Sequence, residues 1–329
     1  SAEPVAETSP SWWSTIECTI HPVDCALRNT VATIASFVLS TASLLTWLGG
    51  LFLNGAVYYT VVKISENYAD IEAINEAWKV VRDIANMSFI FILLYAAIQT
   101  ILGVGEDNKK LIVRVIVVAI LINFSLFFTK VVIDISNVLA LLFYGAIAPG
   151  ALEAPLTTQF NPLASVGLSN SFMEHLKLET LYKAAETIDI SSIMTIGVMG
   201  TIMLIIAAFV FFAVSLMFII RYVILILVLI LSPLAFLGFV LPQAKEYKDK
   251  WLQALLGQAF FAPIYFMLTW ITLRVLAGIM NAVSFGANPA TADSGLADLF
   301  TSNGAAFSTS AFAMFINYIV VIVFLIVSL

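Results

Sequence analysis

The chain is poor in the residues that do chemistry. Histidine occurs only as His21 and His175, and neither stands in an H-E-x-x-H arrangement, which excludes the zinc-protease helix. A Ser-His dyad at membrane depth needs a histidine inside an apolar run, and an aspartyl dyad needs two aspartates there. Only Asp134 lies in one. No Walker-type glycine-rich loop is present, so energy must come from another subunit or an ion gradient. The chain is therefore expected to be no enzyme, with no catalytic residue, cofactor or metal site. Charge is scarce as well: 11% of residues are Asp, Glu, Lys or Arg, against about 25% in soluble domains. The net charge of -6 and the lack of a Lys/Arg cluster exclude a protein that tracks a nucleic-acid backbone. No internal repeat or low-complexity tract is evident.

What the chain has is apolar length. Of its 329 residues 61% are hydrophobic, and the mean hydropathy is +1.01. This is the composition of an all-α polytopic membrane protein. Runs long enough to cross the hydrocarbon core, about 17 to 25 residues, fall at 31–62, 85–105, 111–148, 193–241, 253–283 and 311–329. They predict about five to six long hydrophobic helices. The run 193–241 would be roughly 70 Å long as one helix, against a core of about 30 Å, so it must tilt, break or protrude. Pro233 cannot donate to the carbonyl of Leu229, which predicts a break there. Gly49-Gly50 offers another in the first run. The third run has neither Gly nor Pro before Gly145 and is expected to stand proud of the membrane. The last run ends in FLIVSL with no hydrophilic tail, which suggests that the natural protein continues beyond Leu329.

The segment from Arg221 to Leu256 organises the rest. Arg221 interrupts an otherwise uncharged run, and a cation at bilayer depth costs at least about 2.5 kcal/mol without a partner or water. Asp134 is the acidic candidate. Pro242 closes the run, and Lys245, Tyr247, Lys248, Lys250 and Trp251 follow as interfacial anchors. In order, Arg221-Tyr222, a long aliphatic stretch, Ser232-Pro233-Leu234-Ala235, a short charged loop, Trp251 and Pro263 resemble the core of the TrbL-like polytopic channel subunits of bacterial type IV secretion systems. The resemblance covers about residues 195–283. The stretches AWKVVRDIANMSFIFILLYAAIQTIL (77–102) and NFSLFFTKVVIDISNVLALLFY (123–144) resemble homologous subunits more weakly. It implies an inner-membrane platform or conduit, a homo-oligomeric ring, a separate ATPase with pilus or periplasmic components, and protein or DNA in transit.

Four segments follow from the pattern: 1–30, an extracytoplasmic tail; 31–148, the N-terminal membrane helices; 149–192, an external loop with an amphipathic helix in EHLKLETLYKAAETI; and 193–329, the C-terminal membrane helices. The tail begins with the small residues that follow a removed signal peptide. Its Cys18 and Cys25 enclose six residues, which fits a small external disulfide; two reduced thiols are the alternative. Basic residues at 106–110 and 242–252 mark cytoplasmic loops, while 284–310 has none and reads as external. With an external N-terminus the count fails before residue 106, so one early run does not span, or the N-terminus is cytoplasmic.

Along the third run Asn123, Lys130, Asp134 and Asn137 are seven, four and three apart, which places them on one helix face. Such a stripe lines a hydrated path or a subunit contact, or else Lys130 and Asp134 pair where the helix leaves the bilayer. Arg274, near the external end of the fifth run, either snorkels or pairs with an acid. Three classes of function remain: the secretion subunit, a secondary transporter with Arg221 and Pro233 at a broken-helix site, and a structural membrane scaffold. The missing repeat counts against the transporter.

Overall fold

The computed structural model describes residues 22–70, 72–102, 108–154, 167–175, 190–240 and 244–284. Every regular element among them is helical: α1 Pro22–Val57, α2 Ile64–Asp70, α3 Glu72–Ile101, α4 Asn108–Asn123, α5 Ser125–Ile147, α6 Leu168–His175, α7 Ile190–Ile230, α8 Ser232–Leu237 and α9 Lys245–Ser284. Four stretches are long and apolar enough to cross a membrane: Phe37–Val62, Ser125–Ile147, Leu204–Ile230 and Lys245–Val275. That is fewer than the five to six expected. Of the run 85–105, residues 85–101 belong to a helix that starts with the charged stretch Glu72–Asp83, and 103–105 and 311–329 lie outside the described residues.

The positions of the breaks follow main-chain chemistry. Gly49-Gly50 does not interrupt α1, which runs unbroken through it; a Cβ on Gly50 would lie 3.0 Å from Ser169, so the glycine serves close packing. The first helix instead widens into a π turn over Tyr58–Val62, closed by Lys63 N donating to Tyr58 O at 2.9 Å. The third run divides at Phe124 (φ -101°, ψ 5°) with no glycine or proline, so it is not one continuous helix. The expected break at Pro233 is present: α7 ends at Ile230 and α8 begins at Ser232. Pro242 lies outside the described residues.

The chain forms two compact units. In the first, whose described residues are 22–48, 173–175, 190–209 and 278–284, Thr46 Oγ1 lies 2.9 Å from Ala42 O and 2.7 Å from Leu204 O. Ser40 and Thr41 bond back to Phe37 O, so these hydroxyls are satisfied within the helix that carries them. The second unit holds the larger core. Ile64, Tyr68 and Ile74 pack with Ile133, Tyr222, Leu225, Leu229 and Leu255. A second cluster joins Ala85, Phe89 and Ile92 of α3 to Val115, Val118 and Ile122 of α4 and to Leu237 and Val240. Leu168 and Phe172 of short α6 are also buried here, and Ser169 N donates to Asn54 Oδ1 at 3.1 Å. The surface helix expected over 174–188 lies almost wholly outside the described residues.

Candidate functional site

Where a helix ends, widens or meets proline, carbonyls lose their usual donors, and in hydrocarbon no water replaces them. The second unit gathers several such carbonyls, and polar side chains occupy them. At the end of α1, Asn67 Nδ2 donates to Tyr59 O at 2.8 Å, Arg221 Nη1 to Thr60 O at 3.3 Å and Asn137 Nδ2 to Val61 O at 3.0 Å. Three consecutive carbonyls thus take side-chain donors from three different elements.

Inside α9, Pro263 cannot donate to Ala259 O. Ser136 Oγ of α5 donates to that carbonyl, and Arg221 Nε takes the neighbouring Gln258 O at 2.8 Å. At the α7–α8 break the carbonyl freed by Pro233 is Leu229 O, which accepts from Ser232 Oγ at 2.8 Å. Val228 O accepts from Trp251 Nε1 at 2.9 Å. Ser125 Oγ lies 3.2 Å from Ser232 Oγ and accepts from Trp78 Nε1 at 3.1 Å.

Arg221 is the centre of this arrangement and is fully buried, at 0% exposure. Its partners are not acidic: the guanidinium joins the carbonyl end of α1, where the helix dipole is negative, to the proline-weakened turn of α9. The expected pairing with Asp134 is not present. Near it in sequence on α7, Phe218 stacks on Phe266 at 5.5 Å and Tyr222 stacks on Tyr68 at 5.4 Å. Burial pushes the Tyr68 hydroxyl up, against the opposing pull of Arg221, so it stays protonated. Arg221 Nη2, the Tyr68 and Tyr222 hydroxyls and Asn137 Oδ1 are buried without a protein partner among the described residues.

No protein-family model, curated protein or solved structure matches the chain. Its chemistry is therefore read from its own residues.

The structure gathers Arg221, Pro233, Trp251 and Asn137 around the helix breaks and leaves the other predicted site residues apart. Asn123 belongs to α4, before the break, and bonds its own helix at Ala119 O, 2.9 Å away. Asn137 turns inward to Val61 O, so the four-residue stripe is not one surface. Lys130 is half-buried and Asp134 exposed on α5. Arg274, exposed at the end of the α9 span, stands over the Trp270 ring at 5.6 Å, an interfacial cation–π contact. Cys18 lies outside the described residues, as does the Cys25 side chain, and the proposed disulfide with them.

Sequence reasoning missed Ser136, Thr60 and Gln258. Ser136 was legible in principle, since a proline inside an apolar run announces an unpaired carbonyl four residues earlier and calls for a hydroxyl on a neighbouring helix. Thr60 and Gln258 act through main-chain oxygens, for which side-chain identity gives no signal.

Proposed function

We propose that this chain is a platform or conduit subunit of a bacterial type IV secretion machine, seated in the cytoplasmic membrane with its N-terminus outside. It assembles there as a homo-oligomeric ring with a separate ATPase and pilus or periplasmic subunits, and protein or DNA crosses in transit. The observation that carries this reading is the use made of the motif that resembles TrbL-like subunits. Arg221 holds Gln258 O, Trp251 holds Val228 O, and the carbonyls freed by Pro233 and Pro263 are held by Ser232 and Ser136. Each of these contacts ties one main-chain segment to a side chain, which suits a scaffold that must keep long broken helices in fixed relation. A solute site would instead aim such groups at a shared cavity near the midplane.

Purification in mild detergent from a native membrane tests the reading. A large particle that brings an ATPase with it is expected. A monomer that catalyses solute uptake after reconstitution into liposomes would overturn the proposal in favour of a secondary transporter.

A further inference from the structure

The α3–α4 hairpin has both feet where membrane spans end. Trp78 Nε1 of α3 donates at 3.1 Å to Ser125 Oγ, at the first residue of α5, and that oxygen lies 3.2 Å from Ser232 Oγ, at the first residue of α8. Ser125 and Ile230 are ends of two stretches long and apolar enough to span, Ser125–Ile147 and Leu204–Ile230. The other foot is Phe124, the single non-helical residue through which α4 passes into α5. No polar loop separates the hairpin from the span that follows it.

Away from its feet the hairpin is apolar outside as well as inside. α3 and α4 pack on each other and on Leu237 and Val240, through Ala85, Phe89 and Ile92 on one helix and Val115, Val118 and Ile122 on the other. The exposed Ile84, Ile90, Leu93, Leu94 and Tyr95 surround α3 except along that buried strip. Val113, Ile116, Val117 and Ile120 are exposed on α4. The sequence holds no charged residue from Ile84 to Gly105 or from Val115 to Phe124. Charge returns at the foot of α3, with Arg82 and Asp83, and around the turn, with Glu106, Asp107, Lys109, Lys110 and Arg114.

We propose that the hairpin is a re-entrant element: it lies obliquely in the leaflet at which its feet stand, lipid acyl chains cover its outer surface, and its charged turn returns to water on the same side. The distribution of charge selects lipid as the occupant. A protein partner covers one face, whereas this surface is apolar around both helices and bounded by charge at its ends, the pattern of a membrane-immersed segment. Length opposes a crossing, since the 16 residues of α4 extend about 24 Å against a core of about 30 Å. Arg114, exposed near the turn, has a side chain long enough to carry its head to that water. The early apolar run 85–105 thus enters and leaves by one face, and the alternation of basic loops needs no crossing there. This placement goes beyond the secretion role proposed above and does not depend on it.

Single-cysteine variants in a background with Cys18→Ser and Cys25→Ser test it. Asn108→Cys marks the turn, and Asp249→Cys, two residues before the Trp251 that binds Val228 O, marks the side of the feet. With a membrane-impermeant maleimide and sealed vesicles of each orientation, both are expected to label from the same side. Labelling from opposite sides, or no labelling of Asn108→Cys from either, overturns the proposal. Leu94→Cys, carrying an environment-sensitive thiol fluorophore and reconstituted into vesicles, tests the occupant. It is expected to lose most of its emission to nitroxide-labelled lipids and none to aqueous iodide. Quenching by iodide shows a surface in water, and resistance to both quenchers shows a protein cover; either result overturns the proposal. Ile116→Cys repeats the measurement on α4, so that failure of one variant to fold leaves the test in force.

Discussion

Replacing Arg221 with leucine removes two donors and a buried charge together, and the two effects oppose each other. Thr60 O and Gln258 O lose their side-chain donors. A buried carbonyl without a donor costs about 1–3 kcal/mol, so the two together cost about 2–6 kcal/mol. Deleting a cation at membrane depth returns about 2.5–3.5 kcal/mol. Loss of the carbonyl ties outweighs the relief over most of this range. We therefore expect Arg221→Leu to destabilise the protein by about 1 kcal/mol, the difference between the middles of the two ranges. Arg221→Lys separates the causes. It keeps the buried charge, but its single nitrogen cannot occupy both the Nε and Nη1 positions, so one carbonyl is lost and nothing is returned. Lysine should thus fare no better than leucine. Reversible unfolding in mixed micelles, followed by the helical circular-dichroism signal, measures both. Wild-type stability in Arg221→Lys beside a collapse in Arg221→Leu would refute the reasoning, because charge alone would then suffice and an acidic partner such as Asp134 would be required.

Two further substitutions probe neighbouring parts of the second unit. Ser136→Ala should cost about 1–3 kcal/mol by stranding Ala259 O, yet should be nearly neutral in a Pro263→Ala background, where the main chain supplies the donor; a double-mutant cycle of unfolding free energies with no coupling would show that Ser136 does not serve that carbonyl. Gly167 adopts φ +137°, and a Cβ there would lie 2.5 Å from Asn54 Nδ2, so Gly167→Ala should strain the backbone by about 1–3 kcal/mol. Amide hydrogen exchange over Leu168–His175 is expected to speed up, and unchanged protection would refute the contact.

Much of this arrangement was legible as missing donors. Pro233 announces an unpaired carbonyl at Leu229, and the break falls beside it because an imino nitrogen cannot continue the ladder whatever surrounds it. The same reasoning applies to Pro263 and Ala259. The partner of Arg221 was not legible, because charge-pair reasoning looks for a carboxylate, while the observed acceptors are peptide oxygens released by a π turn and a proline turn. Nor does the break at Phe124 show in the residues: Asn123 and Phe124 are compatible with continuous helix, and the interruption arises where α3 and α8 pack on α4. The Gly49-Gly50 pair misled in the opposite direction. Glycine permits a break but does not require one, and here Ser169 uses the room.

Arg221 ties main-chain carbonyls of two helices together, and service to a ligand is the alternative role for its charge. Parallel measurement of assembly, secretion and solute binding in Arg221→Leu tests the tie most directly. Assembly and secretion are expected to fall together, with no solute binding to lose. An Arg221→Leu protein that assembles normally yet loses binding of a small solute would contradict it, because the charge would then be serving a ligand and not the fold.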